Sequence, residues 1–142
     1  MYIRMMIAAF MGLGIVACAT LPIDTVTIFV VQGRVLDQES NFPLEDIKVY
    51  FVDTGYDYIL SKKQTPMEIA RSNSRGIIDT RFNYWWGRKN SALSLPEATF
   101  DILLSGERYQ TRRFHYKETE LKTDGLAYLV NLEDVYMIRQ SQ

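Results

Sequence analysis

The sequence predicts an all-β chain, an antiparallel β-sandwich of about seven strands. Three observations predict it. Apolar and polar residues alternate with a period of two in short runs over most of the chain beyond residue 24. Turn-forming clusters, Asn73-Ser74-Arg75-Gly76 and Ser105-Gly106 among them, separate those runs. No segment sustains the three-and-four spacing of an amphipathic helix. The length of 142 residues suits one domain with one core, and the chain has no internal repeat and no low-complexity stretch.

Taken in order, the first element is not part of the sandwich. Met1 to Arg4 carries one positive charge, Met5 to Val16 carries none, and Ala17-Cys18 follows. A short basic start, an apolar stretch and a small residue before a cut make a secretory signal helix over residues 1–17. The apolar run is shorter than the ~20 residues a spanning helix needs. Residues 18–24 form a tether, and residues 25–142 form the sandwich.

Within that domain, Thr25 to Leu36 alternates so that Phe29, Val31 and Val35 share a face, with Gly33 between them. Gly33 inside a strand marks a bulge or a close backbone approach. Asn41-Phe42-Pro43 is a polar loop, and Pro43 fixes a turn and stays out of a ladder. Ile47 to Asp53 puts Ile47, Val49 and Phe51 together. Thr54 to Pro66 is the longest irregular piece and holds Tyr56 and Tyr58, which makes it a candidate binding loop. Ser61 to Ala70 has room for one helical turn, interrupted by Pro66. Gly76 supplies positive φ at the next turn. Ile77 to Trp86 aligns Ile78, Phe82, Tyr84 and Trp86, which sends Trp85 to the other face. Ala98 to Leu104 aligns Phe100, Ile102 and Leu104. Tyr109 to Lys117 is a polar strand. Leu126 to Leu132 aligns Leu126, Tyr128, Val130 and Leu132, and Val135 to Ile138 is the last strand.

Ile15-Val16-Ala17-Cys18 resembles the lipobox of bacterial lipoproteins. The resemblance implies that Cys18 is acylated and becomes the mature N-terminus. It also implies that the domain is held in the cell envelope. Ala19 follows the cysteine where Asp would signal inner-membrane retention, so the implied address is the inner leaflet of the outer membrane, facing the periplasm. A lone exported thiol is a liability that acylation removes. A plain cleaved secretory signal with an incidental cysteine is the alternative. A second resemblance rests on VQGRVLD, FPLEDIKVYF and ARSNSRGIIDTRF. It is to the transthyretin-like, carboxypeptidase-regulatory-like domains, with Gly33, Pro43, Leu44, Val49 and Gly76 in the patterned places. It implies a sandwich and no particular activity.

Motifs for chemistry are sparse. Net charge is −1, which offers no field for nucleic acid. Neither a P-loop, a dinucleotide glycine pattern nor a G-x-S-x-G elbow occurs. The single histidine, His115, lacks the histidine partners that a metal centre or an iron-dependent intradiol dioxygenase would use. The sequence therefore predicts no metal and no cofactor beyond covalent lipid on Cys18. Two clusters remain as candidate binding sites. Trp85, Trp86 and Arg88 would stack on a sugar or grip a peptide, unless Trp85 caps the sandwich beneath the Thr54–Pro66 loop. Arg112, Arg113 and His115 would meet an anionic surface, unless they form a charged edge strand that resists aggregation. The expected function is a lipid-anchored, non-catalytic accessory module for a protein partner or a glycan. A scaffold lipoprotein of an envelope or secretion assembly is the alternative, and a small hydrolase the third reading.

Overall fold

A computed structural model describes residues 24–54, 65–88 and 98–141, with side chains for all of these except 24, 25 and 86–88. The signal segment, Cys18, Tyr56 and Tyr58 lie outside the described residues.

The described chain forms eight strands: β1 (Asp24–Asp37), β2 (Lys48–Asp53), β3 (Met67–Arg71), β4 (Ile77–Arg88), β5 (Thr99–Ser105), β6 (Arg112–Lys117), β7 (Lys122–Asp124) and β8 (Ala127–Met137). A single 3-10 turn, Glu118–Glu120, links β6 to β7. One sheet runs β4-β1-β8-β7 and the other β3-β2-β5-β6. The architecture is the expected β-sandwich, with eight strands where the sequence suggested about seven.

The inward faces follow the alternation. Phe29, Val31 and Val35 of β1, Val49 and Phe51 of β2, Phe100, Ile102 and Leu104 of β5, and Val130 of β8 are all buried in one core. Phe29 lies 5.5 Å from Phe51 and 5.0 Å from Phe100, ring centre to ring centre, so one aromatic cluster joins the two sheets. At the β3–β4 side, Thr80 Oγ1 donates to Ile69 O at 3.3 Å and ties the sheet edges together.

Several expectations need correction. The sandwich is not wholly antiparallel, because β1 and β8 run parallel, from Ile28 beside Ala127 to Asp37 beside Met137. A period of two looks the same whichever way a partner strand runs, so the sequence carries no sign of it. Ser61 to Ala70 has room for a helical turn by sequence, but of that span the described part beyond Pro66 belongs to a strand, Met67–Arg71, paired with β2. Leu126 is not inward. It sits at the tip of the β7–β8 turn, beside Gly125 with φ 59°, and is exposed. Pro43 does meet a strand, forming an isolated bridge with Leu36. Its neighbours supply the bonds, Leu44 N–H to Val35 O at 3.0 Å and Asp37 N–H to Phe42 O at 2.8 Å.

Gly33 marks both features expected of it. The β1–β8 register shifts between Gln32 and Arg34, where β8 carries one extra residue and Glu133 takes φ 57°. A Cβ on Gly33 would lie 2.7 Å from Leu132 Cβ.

Candidate functional site: an open side between two sheet edges

The long side of the sandwich formed by β6 and β8 is incompletely closed. β7 pairs with β8 only from Ala127 to Leu129. Beyond Leu129, no strand among the described residues covers the outer edge of β8, and none covers the edge of β6 opposite β5. The 3-10 turn and β7 cross from one sheet to the other at one end of this side. At the other end Tyr109 bridges to Arg139, with Gln110 N–H donating to Ile138 O at 2.8 Å and Gln140 N–H to Arg108 O at 2.9 Å.

Between these crossings lies an open depression of about 510 Å³. Arg112 and Phe114 of β6 form one wall, and Leu132, Asp134, Val135 and Tyr136 of β8 form the other. Gln38 and Asn41, from the turn after β1, close one end. The acid in this wall is already matched: Arg34 donates to Asp134 through Nε at 3.0 Å and Nη2 at 2.7 Å, which holds the Asp134 carboxyl below its ordinary range. Arg112 is not matched. Its guanidinium stands 5.9 Å from the centre of the Phe114 ring, and no carboxylate pairs with it among the described residues. The depression therefore presents backbone edges, an apolar floor and one uncompensated cation.

The period of two divides the predicted basic cluster. Arg112 and Phe114 turn toward the depression, while Arg113 and His115 turn to the outer face of the second sheet. There they converge on Asp101, whose side chain is buried: Arg113 Nε lies 3.3 Å from Oδ2, and His115 Nδ1 shares a 2.7 Å hydrogen bond with Oδ1. Asp101 was not legible in the sequence. In Phe-Asp-Ile it reads as a solvated residue on the outward face, and only the cross-strand register places it opposite His115. β6 is an edge strand, as the aggregation-resisting reading of its charges required.

A second carboxylate escaped the sequence reading. Asp37, 1% exposed, accepts backbone N–H bonds from Glu39 at 3.0 Å and Ser40 at 2.9 Å through Oδ1. Oδ2 accepts from Tyr109 Oη at 2.9 Å and Arg139 Nε at 2.8 Å. The Ser40 amide first, then the Arg139 guanidinium and the Tyr109 hydroxyl, hold this carboxyl well below the usual range. The arrangement pins the turn after β1 to the two segments that close that end of the sandwich.

The tryptophan cluster is placed in part. Tyr84 turns inward and donates to Asp53 Oδ2 at 3.0 Å, and Trp85 faces outward on the first sheet, opposite Val26. Trp85 is well exposed, so it does not cap the core. The backbones of Trp86 and Arg88 belong to β4, and their side chains lie outside the described residues. The structure does not bring Trp85 and the β6 cations together: β4 and β6 stand at opposite ends of the two sheet orders. Among the described residues, no three His, Cys, Asp or Glu side chains converge as metal ligands would.

No protein-family model matches the chain, and no curated protein sequence matches it. Solved structures do. The 3-chlorocatechol 1,2-dioxygenase of Rhodococcus opacus superposes with a TM-score of 0.51 at 14% identity, over 82% of this chain and 62% of that one. The catechol 1,2-dioxygenase of Acinetobacter radioresistens gives 0.48 at 12% identity, over 82% and 53%. The C-terminal domain of the shaft pilin SpaA of Lactobacillus rhamnosus GG gives 0.42 at 10%, over 80% and 99%. The chain thus spans 62% or less of the dioxygenase chains it resembles. The likeness to the first of these is one of fold, a β-sandwich.

Proposed function

We propose that this chain is a lipid-anchored, non-catalytic protein of a bacterial envelope that binds a protein partner through the open β6–β8 side. Acyl chains on Cys18 hold it to the inner leaflet of the outer membrane, and the sandwich faces the periplasm. The observation that carries the binding role is the depression with Arg112 in its wall, flanked on both sides by sheet edges that no strand among the described residues pairs. Unpaired edges accept an added strand, whose backbone supplies affinity and whose alternate side chains enter the space between the sheets. Arg112 favours an acidic residue on that strand.

A non-catalytic role is supported by the separation of the titratable groups. His115 and Asp101 pair on the outer face of one sheet, away from the depression. The chain has one histidine in total, fewer than the two that iron binding of the intradiol type uses. The same unpaired edges also favour a second reading, a scaffold built permanently into a larger envelope or secretion assembly.

The test is capture of partners from detergent-solubilised envelope with the native lipoprotein and with an Arg112→Glu, Phe114→Ala variant. The variant should recover roughly tenfold less of a reproducible protein partner, the effect of losing ~1.4 kcal/mol at an interface. Equal recovery by both proteins removes the β6–β8 side from the binding role. A partner that resists dissociation through purification favours the scaffold. Separately, Cys18→Ser should move the chain from the membrane fraction to the soluble one.

A further inference from the structure

Three of the most exposed apolar side chains gather at one end of one sheet. Leu126 is 86% exposed, Val26 61% and Trp85 58%. Val26 and Trp85 are directly opposite each other on β1 and β4. Ile28 lies beside Ala127 in the parallel β1–β8 pair, so Leu126 stands level with the residue after Val26. Half-buried Ile28, Val30 and Leu129 carry the apolar strip onward along the outer face of this sheet. Phe42, 71% exposed, lies at the opposite end, in the turn after β1.

This end is where the chain enters β1 at Asp24, preceded by the tether and the apolar N-terminal run. We propose that it rests on the lipid surface, with Leu126, Val26 and Trp85 dipping among the headgroups. The proposal rests on the lipid anchor of the preceding section. From Ala19 to Asp24 there are six residues, which span at most ~20 Å. An acylated Cys18 therefore holds the start of β1 near the bilayer, whatever the rest of the domain does. Of the two ends of the sandwich, the one so held carries the exposed Trp and Leu. Tryptophan is favoured at the headgroup level, where its ring is buried and its N–H stays wet. Lys122 and Asp124, both on β7 just before the turn, carry opposite charges, and Asp24 stands opposite Arg88 at the start of β1, so these charges cancel and an apolar contact there survives high salt.

The posture also places the open side. Arg34, which pairs with Asp134 of the depression, is eight residues along β1 from Val26, roughly 26 Å at 3.3 Å per residue. The depression is then lifted clear of the headgroups and turned toward the periplasm.

The test uses the full acylated chain in vesicles of phosphatidylethanolamine and phosphatidylglycerol. Acylation blocks Cys18, so Leu126→Cys and Phe42→Cys each take one polarity-sensitive fluorophore. The label at 126 should shift to the blue and lose emission to spin-labelled lipid, at low and high salt alike, while the label at 42 does neither. An acylated, vesicle-bound chain whose label at 126 is as wet as that at 42 overturns the proposal and leaves the anchor standing. A blue shift that grows with protein density and ignores the lipid quencher marks a second copy on this end and also overturns it. An unmodified Cys18 by mass spectrometry, on a chain that leaves the vesicles, overturns the anchor and this posture together.

Discussion

A Cβ on Gly76 would stand 2.4 Å from Val35 O, in a residue whose φ is +71°, whereas one on Gly125, at φ +59°, would meet nothing within 4 Å. The pair separates two costs that a glycine can conceal. Gly125→Ala should lose only the left-handed backbone penalty, ~1–2 kcal/mol. Gly76→Ala should lose that and an overlap of ~1–3 kcal/mol more. Urea denaturation midpoints check the order, and equal losses would show that Val35 and its neighbours shift freely. Gly76 was legible because Asn-Ser-Arg-Gly is a turn at any level of structure. Asp37 was not, because its partners Tyr109 and Arg139 are distant in sequence and only the fold unites them. Its carboxyl is depressed in the folded state, so the stability it contributes is complete above the ordinary Asp value near 4. That contribution is lost as pH falls below it. Asp37→Asn should therefore destabilise the chain at neutral pH and flatten the acid side of its stability profile below about pH 4. A parallel profile, merely displaced, would show that the bonds matter and the charge does not.

At the scale of elements, β1, β2 and β5 were readable because each lies in mid-sheet with one buried face, and alternation reports that arrangement directly. Phe29 sits at the centre of this pattern, with Phe51, Phe82 and Phe100 within 5.5 Å between ring centres. Phe29→Ala should cost about 3–5 kcal/mol, and Phe114→Ala, at the half-open edge, distinctly less. Thermal melts of the two variants decide it. A similar loss at both would mean the depression is as tightly packed as the core. β3 and β7 were not readable for a matching reason. β3 has no fully buried residue, only Ile69 and Ala70 packed in part against the core, and β7 is exposed throughout, so neither offers a clear buried face to alternate. The basic run of β6 is plain in the sequence, but its division between two faces depends on which side of the strand the core lies.

For the molecule as a whole, the sequence conveyed the sandwich and its core, but neither the parallel pairing nor the open side. Both depend on strand order, which local pattern does not encode. The tyrosines offer a global probe. Tyr84 and Tyr116 are raised chiefly by burial, Tyr109 by burial and then Asp37, and Tyr128 first by its bond to Glu118. Each favours the neutral phenol in the folded state. Their stabilisation is complete below the ordinary Tyr value of about 10 and is lost as pH rises above it. Part of the tyrosinate absorbance should then arrive only as near-ultraviolet circular dichroism collapses. Complete titration with the dichroism intact would contradict this. The parallel β1–β8 pair has a temporal consequence as well. Of the described strands, β1 leaves a ribosome or a translocation pore first, and its neighbour on one flank is β8, 99 positions later from Ile28 to Ala127. Until β8 arrives, Val130, Leu132, Val135 and Met137 are missing from the interior, and a polypeptide in transit stays loose enough to be threaded.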